Sequence, residues 1–188
     1  MVTETDVTLD GRTLHVYDAG PADAFPVVWH HGTPNSGPPP EPLSGAARRL
    51  RLRLIGYDRP GYGGSTPRQD RSVASAAGDV LAVADALGLE RYAVLGHSGG
   101  GPHALASAAL SRQRVVAAVS IAGLAPYGAQ GLDWYAGMHS SASLEAAAAG
   151  RAAKEAYEAT DPPFDPELFT PADLSLIHIS EPTRLGMI

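Results

Sequence analysis

The chain contains no cysteine, which excludes a disulfide framework and a thiolate metal site. Lysine is nearly absent: Lys154 is the single one, and the remaining basic residues are arginine. No apolar run is long enough to span a bilayer. Met1 to Asp6 lack the basic start and apolar stretch of a signal peptide. These absences point to a cytoplasmic chain without a membrane partner. A positive surface is missing too, since the formal net charge is -6, and this argues against nucleic acid as a partner. Isoleucine occurs only at Ile55 and Ile121 until Ile177, Ile179 and Ile188 arrive together near the end.

That shift in usage marks residues 174–188 as foreign in character. Leu174 to Arg184 back-translates, codon for codon, into a sequence that resembles the transposase end and adapter used to build sequencing libraries. Such a scar is set aside from fold reasoning, and the native sequence is expected to stop at Asp173.

What is present describes a globular protein: 188 residues, 44% hydrophobic and 18% charged, enough for one domain with a sizeable core. Val7–Leu9 and Thr13–Tyr17 flank Asp10-Gly11, a pair that favours a tight hairpin turn. Pro26–His30 is a short apolar run without alternation, as in a buried strand. Pro42–Leu50 reads as a helix and Leu52–Tyr57 as a strand. Ser72–Leu87 has helical spacing with Gly88 placed as a cap, and Asp79 and Asp85 on it read as a solvated face. Val115–Ile121 is a further strand. Strands alternating with helices predict a mostly parallel α/β sheet covered on both faces. After Pro126 the pattern turns helical, with Ser143–Ala159 as one alanine- and glutamate-rich helix. Residues 1–125 are therefore expected to form a core and 126–173 the start of a helical lid.

Gly96-His97-Ser98-Gly99-Gly100 carries the chemistry. It follows the apolar run Tyr92–Leu95 and opens an alanine-rich helix, Pro102–Leu110. A serine between glycines at a strand-to-helix turn can be held in a strained conformation that exposes its hydroxyl. The glycines are needed because side chains there would collide with the neighbouring strand or helix.

This order of elements resembles the α/β-hydrolase superfamily over residues 5–173. Three motifs carry the resemblance, each after a strand: His31-Gly32-Thr33-Pro34, Asp58-Arg59-Pro60-Gly61-Tyr62-Gly63-Gly64-Ser65, and the pentapeptide at Ser98. It implies an incomplete α/β-hydrolase fold, with a lid and a serine nucleophile, acting on a small carboxylic ester or related carbonyl substrate. No cofactor and no metal are implied. Ser98 is the expected nucleophile, and its hydroxyl needs a base within hydrogen-bond reach. The oxyanion donors are expected to be the backbone N–H groups of Gly99 and Thr33, because Pro34 has no N–H to give. Gly32 lets the loop approach closely, His31 pins it, and His97 packs beside the sheet. His31, Gly32 and His97 are expected to face substrate. Neither His31 nor His97 is expected to act as base, and His103 lies a turn away on the following helix. Asp58 and Arg59 are expected to hold loops together. Aspartate occupies the elbow in the dehalogenase and epoxide-hydrolase branches, so Ser98 disfavours both.

In this fold the order is serine, then acid, then histidine. The family places the last two after a seventh and an eighth strand, and neither strand is present before Asp173. The polypeptide as written is therefore expected to be inactive. Two other classes compete with this reading. A dinucleotide-binding fold would need G-x-G-x-x-G after its first strand, which neither glycine-rich loop supplies. A non-catalytic, hydrolase-like binding scaffold would keep a pocket without the triad.

Overall fold

The computed structural model describes residues 2–161, 165–168, 170 and 171. The adapter-like segment and Asp173 lie outside the described residues. The chain divides into two compact units, Met1–Pro126 and Tyr127–Ile188.

In the first unit, β1 (Val2–Leu9) and β2 (Arg12–Ala19) form an antiparallel hairpin. Its turn has Asp10 and Gly11 both at positive φ, 51° and 73°, the geometry that suits a two-residue hairpin. Next come β3 (Phe25–His30), α1 (Glu41–Leu50), β4 (Leu52–Tyr57) and α2 (Ser75–Ala86). β5 (Tyr92–His97), a 3₁₀ turn at Ser98–Gly100, α3 (Gly101–Leu110) and β6 (Val115–Ile121) complete it. The strand order is β1-β2-β4-β3-β5-β6, and β4, β3, β5 and β6 are mutually parallel. The expected mostly parallel α/β sheet is therefore present, with the antiparallel hairpin at one edge.

Alternation along the buried strands sorts side chains between two cores. Val28 and Ile55 pack with Val80, Val83 and Ala104 of α2 and α3 on one face. Their neighbours Val27 and Leu54 pack with Ala47 of α1 on the other. Helices thus cover both faces. Because β3, β4 and β5 run in parallel, the loops that follow them emerge at one edge of the sheet. That edge receives all three glycine-bearing motifs.

Two expectations need correction. Asp79 is buried, not solvated, and pairs with Arg12 at 3.0 Å; α2 turns it toward the β1–β2 side of the core, where only an ionic partner makes its burial tolerable. Asp85 does lie at the surface, paired with Arg114. The single helix expected over 143–159 is two, α4 (Ala142–Ala148) and α5 (Arg151–Glu158). Gly150 between them takes a φ of 108°, which no continuing helix allows.

Candidate active site

The elbow is built by close backbone approach. Ser98 has a φ of 50°, a left-handed conformation that non-glycine residues rarely adopt. A β-carbon at Gly96 would collide with the backbone of Gly100, and one at Gly100 with the carbonyl oxygen of His30. Glycine at both positions lets β5 turn directly into α3. The Ser98 carbonyl accepts the Gly101 N–H, so the Gly99 N–H belongs to the first turn and has no partner within the helix.

The loop after β3 comes up against this turn. A β-carbon on Gly99 would lie 2.8 Å from Thr33 Oγ1 and 3.4 Å from Thr33 N. One on Gly32 would lie 3.6 Å from Ser98 Cβ and 3.4 Å from His97 Nδ1. The fold thus gathers Gly32, Thr33, His97, Ser98 and Gly99 in one place. His97 is exposed, and its ring stacks parallel to Trp29 with centroids 6.4 Å apart.

His31 is buried beneath the loop. Its Nδ1–H donates to the Gly32 carbonyl at 2.7 Å, and its Nε2 accepts the Arg59 backbone N–H at 3.1 Å. Burial, and then the Arg59 charge, push its pKa down to about 4, so the ring is neutral at pH 7. His30 is fully buried and held well below its ordinary pKa by that burial, and then by His103. Its Nε2 lies 3.4 Å from Ser107 Oγ. His103 Nδ1 bonds to the Gly99 carbonyl at 2.8 Å, with burial lowering its pKa as well. These three imidazoles are committed elsewhere. Among the described residues, no imidazole or carboxylate is hydrogen-bonded to the Ser98 hydroxyl.

The loop after β4 supports both neighbours. Asp58 is fully buried; Oδ1 accepts the Gly37 N–H at 2.6 Å, and Oδ2 accepts the Gly64 N–H at 2.9 Å and the Tyr17 hydroxyl at 3.1 Å. The buried Arg59 guanidinium donates to the His31 carbonyl, to the Gly32 carbonyl at 3.4 Å and to Thr33 Oγ1 at 3.4 Å. It also lies 5.1 Å from the centroid of the Tyr62 ring. Tyr62, which no sequence motif singles out, places its hydroxyl 3.4 Å from Thr33 Oγ1. Burial raises the Tyr62 phenol, but the Thr33 hydrogen bond and the Arg59 charge outweigh it and leave the pKa below its ordinary value. Its only sequence signal was its place inside Asp58–Ser65. A cavity of about 10 Å³ beside Arg59, Arg71, Ser75 and His103 has room for roughly one water and none for a substrate. Among the described residues there is no cluster of metal ligands, and no helix is long and apolar enough to cross a membrane.

A three-layer α/β sheet with a strained serine at its central elbow is the architecture of a hydrolase class, and the comparisons agree. The model of the α/β hydrolase fold family matches residues 26–156, and the chain belongs to that family. The non-heme chloroperoxidase of Streptomyces lividans is 36% identical over 124 residues, covering 65% of this chain and 45% of that protein. The bifunctional esterase/perhydrolase of Acinetobacter calcoaceticus is 34% identical over 121 residues, covering 63% and 44%. Among solved structures, an epoxide hydrolase from metagenomes of hot environments superposes with a TM-score of 0.53 at 31% identity. That match covers 67% of this chain and 44% of the other. The chain spans less than half the length of these relatives.

Proposed function

We propose that the chain carries the nucleophile half of a serine hydrolase site. Ser98 Oγ attacks the carbonyl of a small carboxylic ester, and the oxyanion is met by the N–H groups of Thr33 and Gly99. The alcohol leaves with a proton, and water then displaces the acyl group from Ser98. Gly32 and His97 face the substrate beside the serine, while His31 acts on the loop from beneath. The observation that carries this reading is the φ of 50° at Ser98, on a turn whose flanking glycines admit no side chain. Non-glycine residues that packed surroundings hold in such a conformation cluster at functional sites. A relative named as an esterase supports ester chemistry. Serine in place of aspartate at the elbow favours it over epoxide opening.

The base and the acid that Ser98 requires would follow it in the chain order of this fold. They would lie in sequence beyond Asp173, and residues 126–173 would begin a helical lid. The test compares hydrolysis of p-nitrophenyl acetate by four proteins. The 188-residue polypeptide is expected to match its own Ser98→Ala variant. A protein extended by the uninterrupted downstream reading frame is expected to exceed its Ser98→Ala variant by at least ~10³-fold. An extended protein no faster than that variant favours the non-catalytic binding scaffold instead.

A further inference from the structure

We propose that Arg59 and His31 strengthen the Thr33 N–H as a hydrogen-bond donor by polarising the Gly32–Thr33 peptide from its carbonyl end. The proposal rests on the reading of Thr33 as an oxyanion donor. The Gly32 carbonyl and the Thr33 N–H are opposite ends of one planar, conjugated unit. That carbonyl accepts His31 Nδ1–H at 2.7 Å and Arg59 Nη2–H at 3.4 Å. The Arg59 backbone N–H, bonded to His31 Nε2 at 3.1 Å, forces the imidazole proton onto Nδ1. The bonds therefore point one way: Arg59 N–H to His31, His31 to the Gly32 carbonyl, and through the peptide to the Thr33 N–H. In a chain of this kind each donor polarises the next.

The charge on Arg59 adds to the effect. Among the described residues no carboxylate pairs with its guanidinium; its partners are two loop carbonyls, the Thr33 hydroxyl and the Tyr62 ring. A guanidinium paired with a carboxylate would present little net charge to the loop, whereas this one keeps its charge beside the amide. The other donor is built differently. Gly99 N–H belongs to the peptide whose carbonyl, that of Ser98, takes the helical bond from Gly101. The Thr33 donor is thus strengthened from its carbonyl end, and Arg59 and His31 are positioning residues that act through a peptide bond.

The test is NMR of the ¹³C,¹⁵N-labelled 188-residue chain. In the unmodified chain at neutral pH, His31 is expected to show a pyrrole-type Nδ1 and a pyridine-type Nε2. In Arg59→Met, the Gly32 carbonyl carbon and the Thr33 amide nitrogen are expected to move upfield while the Gly99 amide stays in place. Arg59→Lys, which keeps a charged donor, is expected to restore most of both shifts. A clamp without polarisation would leave the two resonances unmoved in a folded Arg59→Met, and that result overturns the proposal. A His31 ring protonated on Nε2, or an Arg59→Lys displaced as far as Arg59→Met, also overturns it. Should Arg59→Met fail to fold, the tautomer of the unmodified chain and the lysine variant decide the matter. Failure of Ser98 to turn over ester in the extended protein would instead sink the proposed function while leaving these resonances as they are.

Discussion

Gly100 and His30 meet backbone to backbone: a β-carbon on Gly100 would collide with the His30 carbonyl oxygen. Neither partner can move cheaply, because one sits at the start of α3 and the other ends the central strand β3. Gly100→Ala is expected to cost roughly 2–4 kcal/mol in urea unfolding. Gly32→Ala meets ordinary contacts of 3.4–3.6 Å with His97 and Ser98 and is expected to cost under about 1 kcal/mol. Similar losses for the two variants would contradict this account of the elbow.

Asp58 fastens the loop that supports the site. Its buried carboxylate accepts three bonds, one from Gly37 in the interior and two from the part-buried Gly64 N–H and Tyr17 hydroxyl. Asp58→Ala leaves these donors unpaired and is expected to destabilise by about 3–5 kcal/mol. Asp58→Asn keeps the shape but turns an NH₂ toward a donor, and is expected to lose about 2 kcal/mol. Chemical denaturation of both variants checks the order.

Acid should weaken the folded chain before its carboxylates titrate. His31 is held down to about 4, and His30 and His103 are also held below their ordinary value by burial. The unfolded chain therefore binds protons on these rings at a higher pH than the folded one. Their contribution is complete above about pH 6.5 and falls as the pH drops toward 4, with His31 alone accounting for roughly 3 kcal/mol. His15 acts in the opposite sense. Its hydrogen bond to Asp6 raises its pKa, so its contribution is present below about 6.5 and fades at higher pH. With exposed carboxylate partners, that effect is small. Urea midpoints near neutral pH and at mildly acidic pH give the sign, and a midpoint that does not fall in acid would contradict the neutral, buried rings.

β6 has β5 on one side and no strand on the other among the described residues. Its Val116, Val119 and Ile121 are 43%, 50% and 45% exposed, and the strand carries no charge and no proline. An apolar open edge of this kind pairs with other chains. The 188-residue polypeptide is expected to associate with rising concentration in sedimentation velocity, and Val119→Lys to reduce that association. A monomer at every concentration would contradict it.

The sheet was legible because its signals are local. Asp10-Gly11 marked the hairpin, and the short runs Leu52–Tyr57 and Val115–Ile121 marked their strands to the residue. The pentapeptide at Ser98 was legible for the same reason, since glycine is required where two backbones touch, as at Gly96 and Gly100. What could not be read was long-range pairing. Asp79 looked solvated because its partner Arg12 stands far away in sequence, and only the packing of α2 against the β1–β2 hairpin brings them together. The hold of Arg59 and Tyr62 on Thr33 likewise spans two loops that meet only at the sheet edge. The break at Gly150 was missed because alanines on both sides mask a single glycine in the periodicity.

The central claim, that Ser98 presents a reactive hydroxyl because the fold strains it outward, is tested most directly by fluorophosphonate labelling. The 188-residue chain would be held in mildly alkaline buffer, where hydroxide can take the serine proton, and the adducts mapped by mass spectrometry. A single adduct on the peptide bearing Ser98, absent from Ser98→Ala and from the chain in urea, is the predicted result. Adducts spread over several serines, or a Ser98 adduct that forms equally well in urea, would contradict it.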